Sequence, residues 1–178
     1  MSQFKIIFTG PVGAGKTTAI NSISDTPPVK TDASASDMTK TRKSSTTVAL
    51  DYGVMNLPGG EKLHLYGTPG QERFDFMWDI LVTGGIGLVL LLDNTRADPF
   101  QDMRFFLDTF EKFISQTTVA IGVTQMDLSS TPTIDEYHIQ LNKLGLKPPV
   151  FAVDAREKSD VSLLIQSLLY TLDPGLEG

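Results

Sequence analysis

Gly10-Pro11-Val12-Gly13-Ala14-Gly15-Lys16-Thr17 follows the apolar run Phe4-Lys5-Ile6-Ile7-Phe8, and residues 17–20 continue from it as a helix. The eight residues fit G-x-x-x-x-G-K-[ST], and their flanks supply the strand, loop and helix context in which that pattern has a mechanism. Glycines let backbone N–H groups turn inward on phosphate oxygens, at a helix N-terminus whose dipole favours an anion. Lys16 adds a point charge near the β- and γ-phosphates, and the Thr17 hydroxyl is placed to ligate Mg²⁺. Gly10, Val12, Gly13, Ala14, Gly15, Lys16, Thr17 and the adjoining Thr18 are therefore the expected phosphate-side contacts.

The rest of the composition suits a small nucleotide-binding domain. With 178 residues, 40% of them hydrophobic and 20% charged, the chain is long enough for one well-filled core, and residues 1–178 read as a single domain. A net charge of −6 argues against a nucleic-acid surface, which needs clustered Lys and Arg. The absence of cysteine excludes disulfides, thiolate metal sites and thioester or prenyl anchors, and Ser2 in place of glycine removes a myristoylation signal. No apolar leader or membrane-length run is present, so a soluble, cytoplasmic protein without a lipid anchor or transmembrane segment is expected.

Strand-like and helical patterns alternate along the chain. Residues 48–55 and 63–66 flank the turn signature Leu57-Pro58-Gly59-Gly60 and predict an antiparallel hairpin. Residues 86–92 and 118–123 are near-continuous apolar runs, as in strands buried on both faces of a parallel sheet. Between them Met103, Phe106, Leu107, Phe110, Phe113 and Ile114 mark one helix face, opened by Asp98 and Pro99. Thr133 with Glu136 makes a capping box for a helix ending near Gly145, and a last helix carries Val161, Leu164, Ile165, Leu168, Leu169 and Leu172 up to Asp173-Pro174-Gly175. The expected fold is α/β, of the P-loop NTPase kind: a mostly parallel six-stranded sheet with one antiparallel strand and helices on both faces. Ligands belong beyond the carboxyl ends of its strands.

Residues 25–45 stand apart, rich in Pro, Ser, Thr and Lys and nearly without apolar residues, and read as a long functional loop leading into Thr46-Thr47-Val48. Three further segments follow strand-like runs: Gly67-Thr68-Pro69-Gly70-Gln71-Glu72-Arg73-Phe74, Thr124-Gln125-Met126-Asp127, and Asp154-Ala155-Arg156.

In order and spacing these segments resemble those of the Ras-superfamily small GTPases, over nearly the whole chain. They correspond to the phosphate loop, switch II, the guanine-reading motif and the second base-contacting loop, with Thr46-Thr47-Val48 as the exit of switch I. The Thr-Pro-Gly-Gln-Glu-Arg-Phe string and Asp93-Asn94-Thr95-Arg96 look most like the prokaryotic Ras-like GTPases related to the gliding and polarity switch protein.

The resemblance implies a GTP-binding switch that holds GTP or GDP with Mg²⁺ and hydrolyses GTP slowly. Asp127, flanked by Leu128, would accept from guanine N1–H and the exocyclic amino group. Thr124 would brace the phosphate loop, and Ala155, framed by Asp154 and Arg156, would offer its N–H to guanine O6. Gln71 would orient the attacking water and the N–H of Gly70 would sense the γ-phosphate. Thr47, or alternatively Thr46, would join Thr17 on the metal.

Four departures from that pattern stand out. Gly67 takes the place of an aspartate that supports Mg²⁺, a loss that Asp51 or a water would have to make good. Gln125 replaces the lysine whose stem covers the base. Val12 stands where a glycine is usual and would crowd an arginine finger from a partner. Arg42, within the charge run 40–43, is then a candidate finger in cis, beside the plainer reading of a solvated run. Aromatic surface from Phe74, Phe76, Met77 and Trp78, as far as these residues do not face the core, would present a nucleotide-dependent anchor to a soluble protein regulator or effector. Two rival readings remain: a nucleotide-binding scaffold that hydrolyses nothing, and a P-loop kinase.

Overall fold

The computed structural model describes residues 3–27, 29–34, 47–68 and 76–172, and for residues 29–34, 47–50, 76 and 77 the backbone alone. Strands β1 (Gln3–Thr9), β2 (Val29–Ser34), β3 (Thr47–Asn56), β4 (Lys62–Gly67), β5 (Gly87–Asp93), β6 (Val119–Thr124) and β7 (Val150–Ala152) form one sheet among the described residues, in the order β2-β3-β4-β1-β5-β6-β7. β1 runs parallel to β4 and β5, and β5, β6 and β7 run parallel in turn. β3 is the antiparallel strand, paired with β4 so that Asp51 lies opposite Gly67. The predicted hairpin and the six expected strands are thus in place.

β2 is an addition. It pairs antiparallel with β3 from Val29 opposite Tyr52 to Ser34 opposite Thr47, within the segment whose composition reads as loop. Its sequence, Val-Lys-Thr-Asp-Ala-Ser, has too few apolar residues to signal a buried face. An edge strand needs none: main-chain pairing on one side holds it, and charged residues suit an edge.

Six helices are described: α1 (Lys16–Ile23), α2 (Phe76–Val82), α3 (Pro99–Thr109), α4 (Glu111–Gln116), α5 (Ile134–Lys143) and α6 (Lys158–Leu172). Their caps follow the sequence signals. Asp98 accepts from the Gln101 N–H at 3.1 Å with Pro99 beside it, and Thr133 and Glu136 exchange both bonds of a capping box. Gly145, at φ +73°, closes α5 as the Leu146 N–H returns to the Leu141 carbonyl. The stripe 103–114 is split between α3 and α4 at Phe110. At that junction the Phe110 N–H still donates to the Phe106 carbonyl at 3.1 Å and the Ile114 N–H to the Phe110 carbonyl at 2.9 Å, so the apolar stripe continues through it.

Alternate residues of the central strands feed two cores. Leu88, Leu90 and Leu92 of β5 join Ile7, Ile121 and Val123 under α2, α3 and α5, while Val89 and Leu91 join Ile6, Phe8 and Ala120 under α1 and α6. β5 is buried along its whole length, which is why its sequence is apolar without alternation. Both faces being covered, the carboxyl ends of β1, β5 and β6 are left for a ligand.

Candidate nucleotide-binding site

The loop 10–15 leaves β1 under tight backbone constraint. Gly10 lies at φ +146°, and a Cβ there would stand 2.1 Å from the Leu91 carbonyl oxygen, so a side chain cannot be accommodated beside β5. Gly13 and Gly15 also have positive φ, and a Cβ on Gly15 would reach the Ala155 side chain at 3.0 Å. Gly15 begins α1 in the left-handed region, and no side chain caps the first turn. Among the described residues no side chain caps the N–H groups of that turn at the positive end of the helix, the arrangement that suits phosphate.

Lys16 folds back along the loop, its Nζ donating to the carbonyls of Gly10 at 2.6 Å and Pro11 at 2.9 Å. Its residue is 8% exposed. Burial pulls its pKa from 10.5 down to about 8, and the charge of Asp51 partly offsets this. Beside it the Thr17 hydroxyl donates to Asp51 Oδ2 at 2.5 Å. The partner arises from strand pairing: Asp51 faces Gly67 across the β3–β4 ladder, where a Cβ on Gly67 would lie 3.1 Å from Asp51 Cβ. A carboxylate from β3 therefore stands before Thr17 where β4 carries no side chain.

Thr124, at the end of β6, shares its hydroxyl proton between the carbonyls of Ala14 at 2.9 Å and Leu92 at 3.2 Å, tying the phosphate loop to β5 and β6. Gln125, held at φ +62°, donates its side-chain amide to the Gly13 carbonyl at 3.0 Å. Beyond them a cavity of about 610 Å³ is lined by residues of three separated segments, Gly13, Gly15 and Thr18, then 124–128, then 152–156, together with Asp160. Asp127, Leu128 and Ala155 are among the lining residues. Asp154 grips the Arg156 guanidinium at 2.9 and 2.8 Å, and this fork holds the Asp154 carboxyl down at about 2. Asp160 in turn accepts from the Asp154 N–H at 2.9 Å, fixing the loop to α6.

The structure thus brings together Gly10, Val12, Gly13, Ala14, Gly15, Lys16, Thr17, Thr18, Thr124, Gln125, Asp127, Leu128, Asp154, Ala155 and Arg156 at one end of the sheet. Val12 projects outward, 59% exposed. Gly70, Gln71, Thr46, Arg42 and Phe74 lie outside the described residues, and of Thr47, Phe76 and Met77 the backbone alone is described. Trp78 is core: 2% exposed, with its ring centroid 5.4 Å from that of Phe110 and 5.9 Å from that of Phe106. Two polar residues escaped a reading by motif. Asn94 appears in the sequence only as part of a resemblance and Tyr137 in no motif at all, yet their side chains bond at 2.7 Å behind the 125–133 loop.

A phosphate loop opening α1 at the end of β1, beside a cavity walled by the β6 and β7 exits, defines a P-loop nucleotide-binding protein. The chain belongs to the family described as conserved hypothetical ATP binding protein, whose family profile matches residues 8–144. It is similar to an uncharacterized protein of Methanocaldococcus jannaschii, 28% identical over 138 residues that make up 76% of this chain and 79% of the relative. It is also similar to two Ras-related proteins, Rab-3 of Caenorhabditis elegans and Rab-1C of Dictyostelium discoideum. The first is 26% identical over 69% of this chain and 58% of the relative, the second 26% identical over 65% and 59%. The chain thus spans less than two thirds of those two Rab proteins.

The burial of Lys16 has a measurable consequence for the nucleotide-free protein. Between about 8 and 10.5 the folded chain binds fewer protons at Lys16 than the unfolded chain, so this residue makes stability rise with pH across that interval. Below it the cost of burying the ammonium is carried in full. Lys16→Met should therefore be the more stable protein at neutral pH and should lose that part of the rise, as read by urea unfolding midpoints across the interval. Superimposable pH profiles for the two proteins would contradict the burial.

Proposed function

We propose that this chain is a guanine-nucleotide switch that binds GTP and GDP with Mg²⁺ and hydrolyses GTP slowly. The observation that carries the reading is the convergence of the phosphate loop and the Thr124–Asp127 turn on one cavity, clamped together by Thr124 on Ala14 and Gln125 on Gly13. The printed family description names ATP. The base end of the cavity favours guanine instead, because a carboxylate at Asp127 accepts from the N1–H and amino group of guanine, whereas adenine turns a bare N1 acceptor toward it. Ala155 offers its N–H to the guanine oxygen, and Arg156, held flat by Asp154, flanks the base where Gln125 has turned away to Gly13.

On the phosphate side the loop N–H groups and Lys16 hold the β- and γ-phosphates, Lys16 exchanging its carbonyl partners for phosphate oxygens. The residues at Thr17 fit Mg²⁺: a hydroxyl backed by a carboxylate is a hard-oxygen pair, and among the described residues no cluster of three His, Asp or Glu competes as a closed metal cage. The ion would neutralise charge between the β- and γ-phosphates. Asp51, through Thr17 and the water shell, takes the supporting part that Gly67 leaves open. Thr47 completes the ligand set, Gln71 orients the attacking water and Gly70 follows the γ-phosphate. These last assignments are supported by their positions in the sequence. Among the described residues no helix is long and apolar enough to cross a membrane, so the readout is proposed to be a protein regulator or effector that meets the switch segments. Within the Ras-like class, the Thr68–Phe74 string supports kinship with the prokaryotic polarity-switch group.

GDP should bind roughly 100-fold more tightly than ADP, and Asp127→Ala should erase most of that difference in competitive titration. Equal affinity for the two nucleotides in the unmodified protein would contradict the assignment. Asp51→Asn should weaken Mg²⁺ binding about 10- to 100-fold, measured as the Mg²⁺ concentration that half-slows GDP release, while leaving the guanine preference in place. An unchanged Mg²⁺ requirement would return Asp51 to a purely structural role.

A further inference from the structure

Asn94 follows β5 directly and is 2% exposed. Its Nδ2 donates to the Ser129 carbonyl at 2.7 Å and the Pro132 carbonyl at 3.0 Å, its Oδ1 accepts from the Tyr137 hydroxyl at 2.7 Å, and its main-chain N–H donates to the Thr124 carbonyl at 3.0 Å. The amide group is thereby committed at both ends. Two carbonyls, which can only accept, require the NH₂ side and so decide which way the amide faces, and the Tyr137 hydroxyl then donates to the oxygen that is left. Rotated by half a turn, Oδ1 would be set against two carbonyl oxygens. Tyr137 itself is fully buried, its ring edge-on to Phe100 with centroids 5.0 Å apart, so the hydroxyl has little freedom to move.

What this pair holds is the exit of the turn that carries Asp127. The N–H groups of Leu128 and Ser129 both donate to the Gln125 carbonyl at 3.1 Å, closing residues 125–129 into one compact turn. Its entrance is pinned by Thr124 to β5 and the phosphate loop, and its far side is pinned at Ser129 and Pro132 by Asn94. A carboxylate that must meet two donors of one base edge tolerates a misplacement of only about 0.5 Å.

We propose that Asn94 and Tyr137 are positioning residues for purine recognition: their buried amide–hydroxyl pair holds the Asp127 turn in register with the phosphate loop and so sharpens selection of the guanine edge. The inference rests on the guanine reading above. It predicts that removal of one remote hydroxyl affects base discrimination and spares phosphate binding.

The test compares GDP, IDP, which lacks the exocyclic amino group, ADP and pyrophosphate as competitors on the full chain. Tyr137→Phe should weaken GDP binding about tenfold and narrow the GDP-over-IDP preference, with pyrophosphate binding unchanged. Asn94→Ala should do the same, and the double variant should be no worse than the more damaging single one, because the two groups act as a unit. Leu141→Ala, on the same helix and 1% exposed, is the control for stability: it should lower the unfolding midpoint and keep the GDP-over-IDP ratio. A Tyr137→Phe protein that keeps the ratio, or a Leu141→Ala protein that loses it to the same degree, overturns the proposal. An unmodified protein with no preference for GDP over ADP overturns the guanine reading and this inference with it.

Discussion

One shared proton carries much of this site. The Thr124 hydroxyl, placed by β6 at the carboxyl edge of the sheet, bridges the Ala14 carbonyl of the phosphate loop and the Leu92 carbonyl of β5. Three segments far apart in sequence are thereby tied together through one buried hydroxyl, whose loss would remove the direct side-chain link between the phosphate loop and β6. The close seat of Gly10 against Leu91 works in the same direction, since no residue with a side chain lets the loop lie so near β5. A ligand spanning from phosphate to base needs this rigidity, because each half of the site is formed by a different strand exit.

The relation of Asp51 to Gly67 shows how strand pairing places a carboxylate beside the phosphate loop. The two positions face each other across an antiparallel ladder, and side chains on opposed residues point to the same face. A carboxylate supplied from β3 therefore reaches the Thr17 hydroxyl as one from β4 would. Space is the condition. With Ile20 Cδ1 only 3.2 Å from where a Gly67 Cβ would stand, a second carboxyl there would crowd both Asp51 and α1.

Much of this was legible in the chain. The glycine pattern and lysine of the phosphate loop, the all-apolar runs of β5 and β6, the Leu57–Gly60 turn and the caps at Asp98 and Thr133 are local signals, and each element formed where its signal lay. The missing parts depend on partners remote in sequence. β2 is held by main-chain pairing along β3, which leaves no periodicity to read in Val-Lys-Thr-Asp-Ala-Ser. The break at Phe110 falls inside an apolar stripe that runs on through it, so the periodicity carries no sign of it. Tyr137 and Leu141 are buried one turn apart on α5, a spacing that says nothing about where the Tyr137 hydroxyl ends. That Asp51 reaches the Thr17 hydroxyl depends on the register of β3 against β4, which no local signal in the sequence carries.

The account stands on the claim that loops from β1, β6 and β7 form a single guanine site. The direct measurement is the nucleotide released by denaturing the purified full-length chain, separated by chromatography and quantified per mole of protein. The account predicts GDP, with or without GTP, approaching one equivalent and adenine nucleotides at trace level. Adenine nucleotides bound in comparable or greater amount would contradict it.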